Sequence, residues 1–173
     1  MAYKGLENRR YFVLKINLIM RQILLACVFA GFGSMAMAQS DFESEIDFYQ
    51  SAYGLEKKAI VENFMQLKGD KANTFWPIYD QYEAARREIG KNRIAHLNQY
   101  IKVYETITDE QADDVTRKML ANRATQEKLY KKYFGKLKKS HGAKTALQFL
   151  ELEVYLQTAI SFALLESIPF VGE

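Results

Sequence analysis

From residue 41 onward apolar side chains recur every three or four positions, the period of a helix with one buried face. Phe42, Ile46, Tyr49 and Tyr53 mark a first helix starting near Asp41 and interrupted at Gly54. Ile60, Phe64 and Leu67 mark a second, over 56–66, for which Gly69 is a natural stop. Asp70 is placed to cap a third, running to about Glu105 with Phe75, Ile78, Tyr82, Ile89, Leu97, Tyr100 and Tyr104 on its apolar side. Pro77 falls in its second turn and is expected to bend it or delay its start. Thr108-Asp109-Glu110-Gln111 has the form of a capping box, with Thr108 and Gln111 serving each other's backbone amides. The helix it opens is expected to reach Lys139, with Val115, Met119, Gln126, Tyr130, Tyr133 and Leu137 along one face.

A turn at Ser140-His141-Gly142 then separates a last helix, 143–167, which Pro169 ends. That helix carries two apolar stripes. Leu147, Leu150, Val154, Leu164 and Ile168 form one; Phe149, Leu152, Leu156, Ile160 and Ala163 form the other. A helix apolar over most of its circumference is buried on more than one side or meets a second molecule; central burial is the expectation, since a small antiparallel bundle needs a central helix. The fold class is therefore all-α, an elongated antiparallel hairpin or bundle of about four helices.

The start of the chain has a different pattern. Met20-Arg21 precedes an apolar run from Ile23 to Ala30, and Ala36-x-Ala38 supplies small residues for cleavage before Gln39. This reads as a secretory signal peptide, too short to span a bilayer. Leu24-Leu25-Ala26-Cys27 also has the form of a lipoprotein box, but the apolar run ahead of Cys27 is short. Met20 offers an alternative start, which would make 1–19 an upstream extension. Either way residues 1–38 are set apart from a single helical domain, 39–173.

That division changes the charge. Of the chain's 24 basic residues five lie in 1–38, and of its 21 acidic residues only Glu7 does, which leaves 19 against 20 and a net charge of −1. The basic excess that nucleic-acid binding requires disappears. Cys27 is the only cysteine, so the exported part has no disulfide and no thiol chemistry. It also has no transmembrane segment.

Two segments forty residues apart look alike. Leu67-Lys68-Gly69-Asp70-Lys71-Ala72 and Ile107-Thr108-Asp109-Glu110-Gln111-Ala112 each place an apolar residue and polar turn residues before a long helix. The second resembles the Leu-Thr-x-x-Gln signature of the Spy/CpxP group of periplasmic proteins, with Ile107 in place of Leu. The first departs from it at Lys68 and Lys71. Phe75-Trp76-Pro77-Ile78-Tyr79-x-x-Tyr82, the pair Tyr100 and Tyr104, and the ending Ala146-Leu147-Gln148-Phe149 to Ile168-Pro169 resemble an uncharacterised branch of such proteins. The resemblance covers roughly 55–171. It implies a thin periplasmic hairpin, often paired as a homodimer, that acts without ATP as a chaperone for unfolded or envelope proteins or dampens envelope-stress signalling. Relatives with metal-sensing domains make a metal-responsive sensor the alternative, and a structural partner of an envelope complex the third.

Few residues suggest chemistry. Lys128, Lys132, Lys136 and Lys139 share one side of the predicted helix, with Lys131 and Lys138 nearby. They are the candidate client-binding residues, through attraction of acidic segments. Their plainer role is to complement the negative end of the helix dipole, at ~0.3–1 kcal/mol each. The interleaved Tyr130, Tyr133 and Phe134 suit a bundle core better than a peptide site. His96 and His141 are too isolated for a metal site, and no cofactor is implied. Neither Asp113-Asp114 nor Glu151-x-Glu153 faces its neighbour on a helix, so both pairs are expected to serve solubility. No nucleophile motif or phosphate loop is present, and an enzyme is not expected.

Overall fold

The computed structural model describes residues 56–166 and 168–172, and these are all-helical with no strand. The predicted helix near Asp41 and the signal-peptide cleavage residues Ala38 and Gln39 lie outside them. Three helical spans are present. Helix α1 covers 56–65, α2 covers Asp70–Ile101, and α3 covers Asp109–Glu166. A 3-10 turn, Tyr104–Thr106, lies between the last two.

Among the described residues the chain divides into two compact units, 56–155 with 169–172 belonging to one and 156–166 with Ile168 to the other. In the first, α1 runs antiparallel to α2. Lys57 Nζ reaches Glu83 and Lys58 Nζ reaches Asp80, so successive α1 positions meet earlier α2 positions. The first arm of α3, before Gly142, runs antiparallel to α2 as well. Lys118 donates to Gln99, Asn122 to the Ile89 carbonyl and Lys136 to Gln81, at 3.2, 3.0 and 2.8 Å.

The second arm turns back at Gly142, the one residue of α3 with non-helical torsions (φ 84°, ψ 162°). Tyr133 before this point and Phe149 after it both lie edge-on to Tyr82, at 5.4 and 5.3 Å between ring centroids. Only a chain that reverses can bring them to one ring. A Cβ on Gly142 would meet nothing within 4 Å, so glycine is needed there for its positive φ and not for space. The expected three-residue turn thus narrows to Gly142, with Ser140 and His141 still helical.

The core of this unit is a row of rings closed by aliphatic side chains. Phe75, Tyr79, Tyr82 and Ile89 of α2 bury against Leu129, Tyr133 and Leu137 of one α3 arm and Ala146, Phe149 and Leu152 of the other, with Val61 from α1. Edge-to-face contacts join Phe75 to Trp76, His141 and Phe149. Such pairs contribute ~0.5–1.5 kcal/mol each beyond the area they bury.

Several boundaries differ from expectation. Helix α1 stops at Met65 because Gln66 takes a left-handed conformation, φ 49°, its amide bonding to the Glu62 carbonyl at 3.0 Å. Gly69 is the N-cap of α2, and Asp70 is its first helical residue, making no side-chain cap but favouring the positive end of the dipole. Helix α2 continues through Pro77 without a delayed start and ends at Ile101, short of Glu105. Met119, expected on the inner face of α3, is exposed, and the inner seam centres on Leu129, Tyr133 and Leu137.

In the other unit, α3 stays helical to Glu166. The Ser161 hydroxyl donates to the Gln157 carbonyl, and Phe162 and Leu165 are exposed.

Candidate functional site

The densest chemistry in the described residues is an ion cluster buried among the three helical spans. Lys57 of α1 is 1% exposed, with its ammonium 2.7 Å from Glu83 Oε2 of α2 and 2.7 Å from Glu153 Oε2 of α3. The Tyr82 hydroxyl donates to the same Glu153 oxygen at 2.7 Å. Arg86, one helical turn after Glu83, grips that carboxylate with Nε at 3.0 Å from both oxygens and Nη2 at 2.7 Å from Oε1. The Lys57 ammonium also lies 5.1 Å from the centre of the Tyr82 ring and 5.8 Å from that of Tyr79. Lys57 and Arg86 balance the two carboxylates within the buried cluster, and the half-exposed Arg87 adds a third cation at its edge, with Nε 3.9 Å from Glu83 Oε1.

The balance of forces shows in the proton affinities. Burial alone would raise the Glu83 carboxyl, but Lys57 and Arg86 outweigh it and hold the group below the usual carboxylate range. Burial, aided by the Glu153 charge, pushes the Tyr82 hydroxyl well above its ordinary value. Burial and the same carboxylate push Tyr130 to about 12. One polar atom is left over. Glu153 Oε1 is buried with no hydrogen-bond partner among the described residues.

This arrangement corrects the reading of Glu151-x-Glu153. Glu151 is exposed, whereas Glu153 is 2% exposed and holds α1 to α3. Nothing local to Glu153 marks it, because its partner lies 96 residues away. The signal for Lys57 was its spacing of four from Val61, which puts both on the buried face of α1, beside the half-buried Ile60 and Phe64.

A ring-and-hydroxyl group surrounds His141. Its Nε2 lies 2.9 Å from the Lys71 carbonyl and 3.2 Å from the Thr74 hydroxyl, and its Nδ1 lies 2.7 Å from the Ser140 hydroxyl. His141 thereby ties the turn of α3 to the start of α2. His96 is half-buried, and its Nδ1 has no partner among the described residues. Among those residues no three histidine, cysteine or acidic side chains come together to hold a metal.

The lysines of α3 are outside this cluster. Lys128, Lys132, Lys136 and Lys139 are all exposed. They are not equally free, since Lys136 donates to Gln81 and lies 4.9 Å above the Tyr133 ring, which Lys132 approaches at 5.5 Å. The motif residues are spread along the bundle. Phe75, Tyr79 and Tyr82 are core, Trp76 is half-buried over α1, and Pro77 is exposed. Thr108 and Gln111 make both reciprocal bonds of a capping box, at 3.0 and 3.3 Å, with Ile107 half-buried just before them.

The second arm of α3 separates its two stripes. Phe149 and Leu152 are buried, while Leu147 is 49% exposed and Val154 44%, with Tyr155 exposed beside them. Central burial, the expectation from sequence, holds for one stripe only. The core needs a single face of this arm; of the other stripe Leu147 and Val154 are exposed, while Leu150, Leu164 and Ile168 are half-buried. No described helix is long and apolar enough to cross a membrane. Comparison with known protein families, with characterised proteins and with solved structures finds no match.

Proposed function

We propose that this chain is an exported, non-catalytic helical binding protein that captures partly unfolded or envelope proteins without ATP, in the manner of the Spy/CpxP group. The outward stripe of Leu147 and Val154 carries the reading. An apolar row on a helix that already supplies the core from its opposite face is a binding feature more than a packing one. The buried ion cluster supports the non-catalytic part. Its charged groups are paired with one another and almost wholly buried, so they act to fix the helices together. An up-and-down arrangement of α1, α2 and the two arms of α3 would give that stripe a stiff backing. The test is whether the purified protein slows aggregation of a chemically denatured, diluted client. Suppression that falls in a Leu147→Ser/Val154→Ser variant of unchanged helix content supports the reading. Suppression by neither protein rejects it.

A further inference from the structure

Between Lys128 and Leu150 the chain carries seven lysines, no acidic residue and no arginine. The reversal at Gly142 folds that stretch onto itself, and His141 ties it to the start of α2, with Nε2 2.9 Å from the Lys71 carbonyl and 3.2 Å from the Thr74 hydroxyl. Lys68, Lys71, Lys138, Lys139 and Lys144 therefore gather at one end of this helical unit, all of them exposed. Asp70 is the one acid among them in sequence. None of the five ammonium groups pairs with a carboxylate among the described residues. The cations toward the opposite end differ: Arg87, Lys91, Arg117 and Lys118 lie 2.6 to 3.9 Å from a carboxylate.

The helix dipole accounts for only part of this charge. Lys138 and Lys139 close the first arm of α3, where a cation is favoured. Lys71 is the second residue of α2, and Lys144 lies two residues after Gly142, both at helix starts, where the dipole opposes a cation. Repulsion among the five adds to that. Cations set against the fold's own field suit a partner of opposite sign outside it.

We infer that this end of the protein docks on an anionic lipid surface. The residue type selects that partner. Arginine forks grip the carboxylates of a structured acidic protein, and this end has none. Lysine ammoniums on long, flexible stems suit the diffuse field of lipid headgroups, to which clusters of about four to eight basic residues bind. Leu147, 49% exposed one turn after Lys144, and the half-buried Leu67 beside Lys68 add apolar contact at the same end, along which lysine stems can lie. Docking of this kind needs no client and stands apart from the capture of unfolded chains.

Trp76 is the chain's only tryptophan, in the second turn of α2 with its ring 5.2 Å from that of Phe75, so it reports on this end alone. Energy transfer from Trp76 of the full chain to a dansyl-headgroup lipid is measured in vesicles of phosphatidylglycerol with phosphatidylcholine, and in vesicles of phosphatidylcholine only. Transfer should be stronger with the anionic vesicles and should fall as salt screens the charges. Each lysine near such a surface changes affinity about fivefold, so Lys139→Gln/Lys144→Gln should weaken binding roughly 25-fold. Lys102→Gln/Arg123→Gln makes the same charge change on exposed residues away from this end and should alter binding less than about twofold. Circular dichroism checks that both variants keep the wild-type helix content. Equal transfer with the two kinds of vesicle, or equal losses in the two variants, would overturn the inference. So would tighter binding to soluble polyglutamate at the same charge concentration, which would make an acidic protein the partner.

Discussion

Lys57 and Glu153 are 96 residues apart in sequence and 2.7 Å apart in the fold, both almost wholly buried. The pair joins the shortest helix to the far arm of the longest one, and through Glu83 it includes α2. Ion pairs in such surroundings contribute little net stability compared with apolar side chains of the same volume, yet removing one partner leaves a buried charge exposed to no water. Lys57→Met should therefore destabilise the protein by ~3–5 kcal/mol. Lys57→Met/Glu153→Leu should recover much of that loss. Urea denaturation of the two single variants and the double variant measures the coupling, and additive losses would show that the two groups act separately.

The same cluster sets limits on pH. Glu83 has its proton affinity lowered in the folded state, so its contribution is complete above the unfolded carboxylate range, near 4.3. It is lost as pH falls through that range to the lower folded value. Tyr82 and Tyr130 have theirs raised, so their contribution is complete below pH ~10 and is lost above it, as the unfolded tyrosines ionise first. Glu83 is the cleaner probe, because Glu83→Gln should flatten the acid limb of stability against pH while lowering stability at neutral pH. Absorbance at the tyrosinate band should show Tyr82 and Tyr130 ionising later than free tyrosine in the folded protein, and Tyr82→Phe should remove one late-titrating hydroxyl.

At the start of α3, Thr108 and Gln111 satisfy two amide donors that the helix itself cannot. Thr108→Ala should cost ~1 kcal/mol and Thr108→Ser a few tenths. Thermal or urea unfolding of the three proteins checks this, and a conformational change of the helix start would show as unequal helix content.

The capping box was legible because its parts are local, three residues apart. So were the helical class, the long α2 and α3 and the break near Gly142, each of which follows from period, cap or glycine. The ion cluster was not legible. Lys57, Glu83 and Glu153 look like solvated charges on amphipathic helices, and only the reversal at Gly142 brings Glu153 across to α1. The exposure of Leu147 was equally hidden, since periodicity reveals two apolar stripes on one helix without saying how many neighbours will cover them.

Gly142 itself can be tested. Its positive φ turns the two arms of α3 back on each other, and space around it is open. Gly142→Ala should destabilise by ~1–2 kcal/mol through backbone conformation alone. A partial straightening of α3 would separate Phe149 from Tyr82, and near-ultraviolet circular dichroism of the aromatic row would register the change. An unchanged spectrum with unchanged stability would mean the turn tolerates a Cβ.

If the proposed function holds, two surfaces of α3 are the candidates for holding a client, and they differ in chemistry. The stripe of Leu147 and Val154 would act through apolar contact, which salt does not weaken. Lys128, Lys132, Lys136 and Lys139 would act through attraction screened over ~8 Å at physiological salt. Reversing the four lysines to glutamate should therefore slow client capture at low salt and leave capture at high salt near the wild-type rate. Leu147→Ser/Val154→Ser should weaken retention at both. The lysine reversal also removes the Lys136–Gln81 bond and the contacts of Lys132 and Lys136 with Tyr133, so a small stability loss accompanies it. Measuring capture rate, retention and stability on the same variants separates these effects. If capture at low salt is unaltered by the reversal, the lysines serve the helix dipole at the end of the first arm, and binding belongs to the apolar stripe alone.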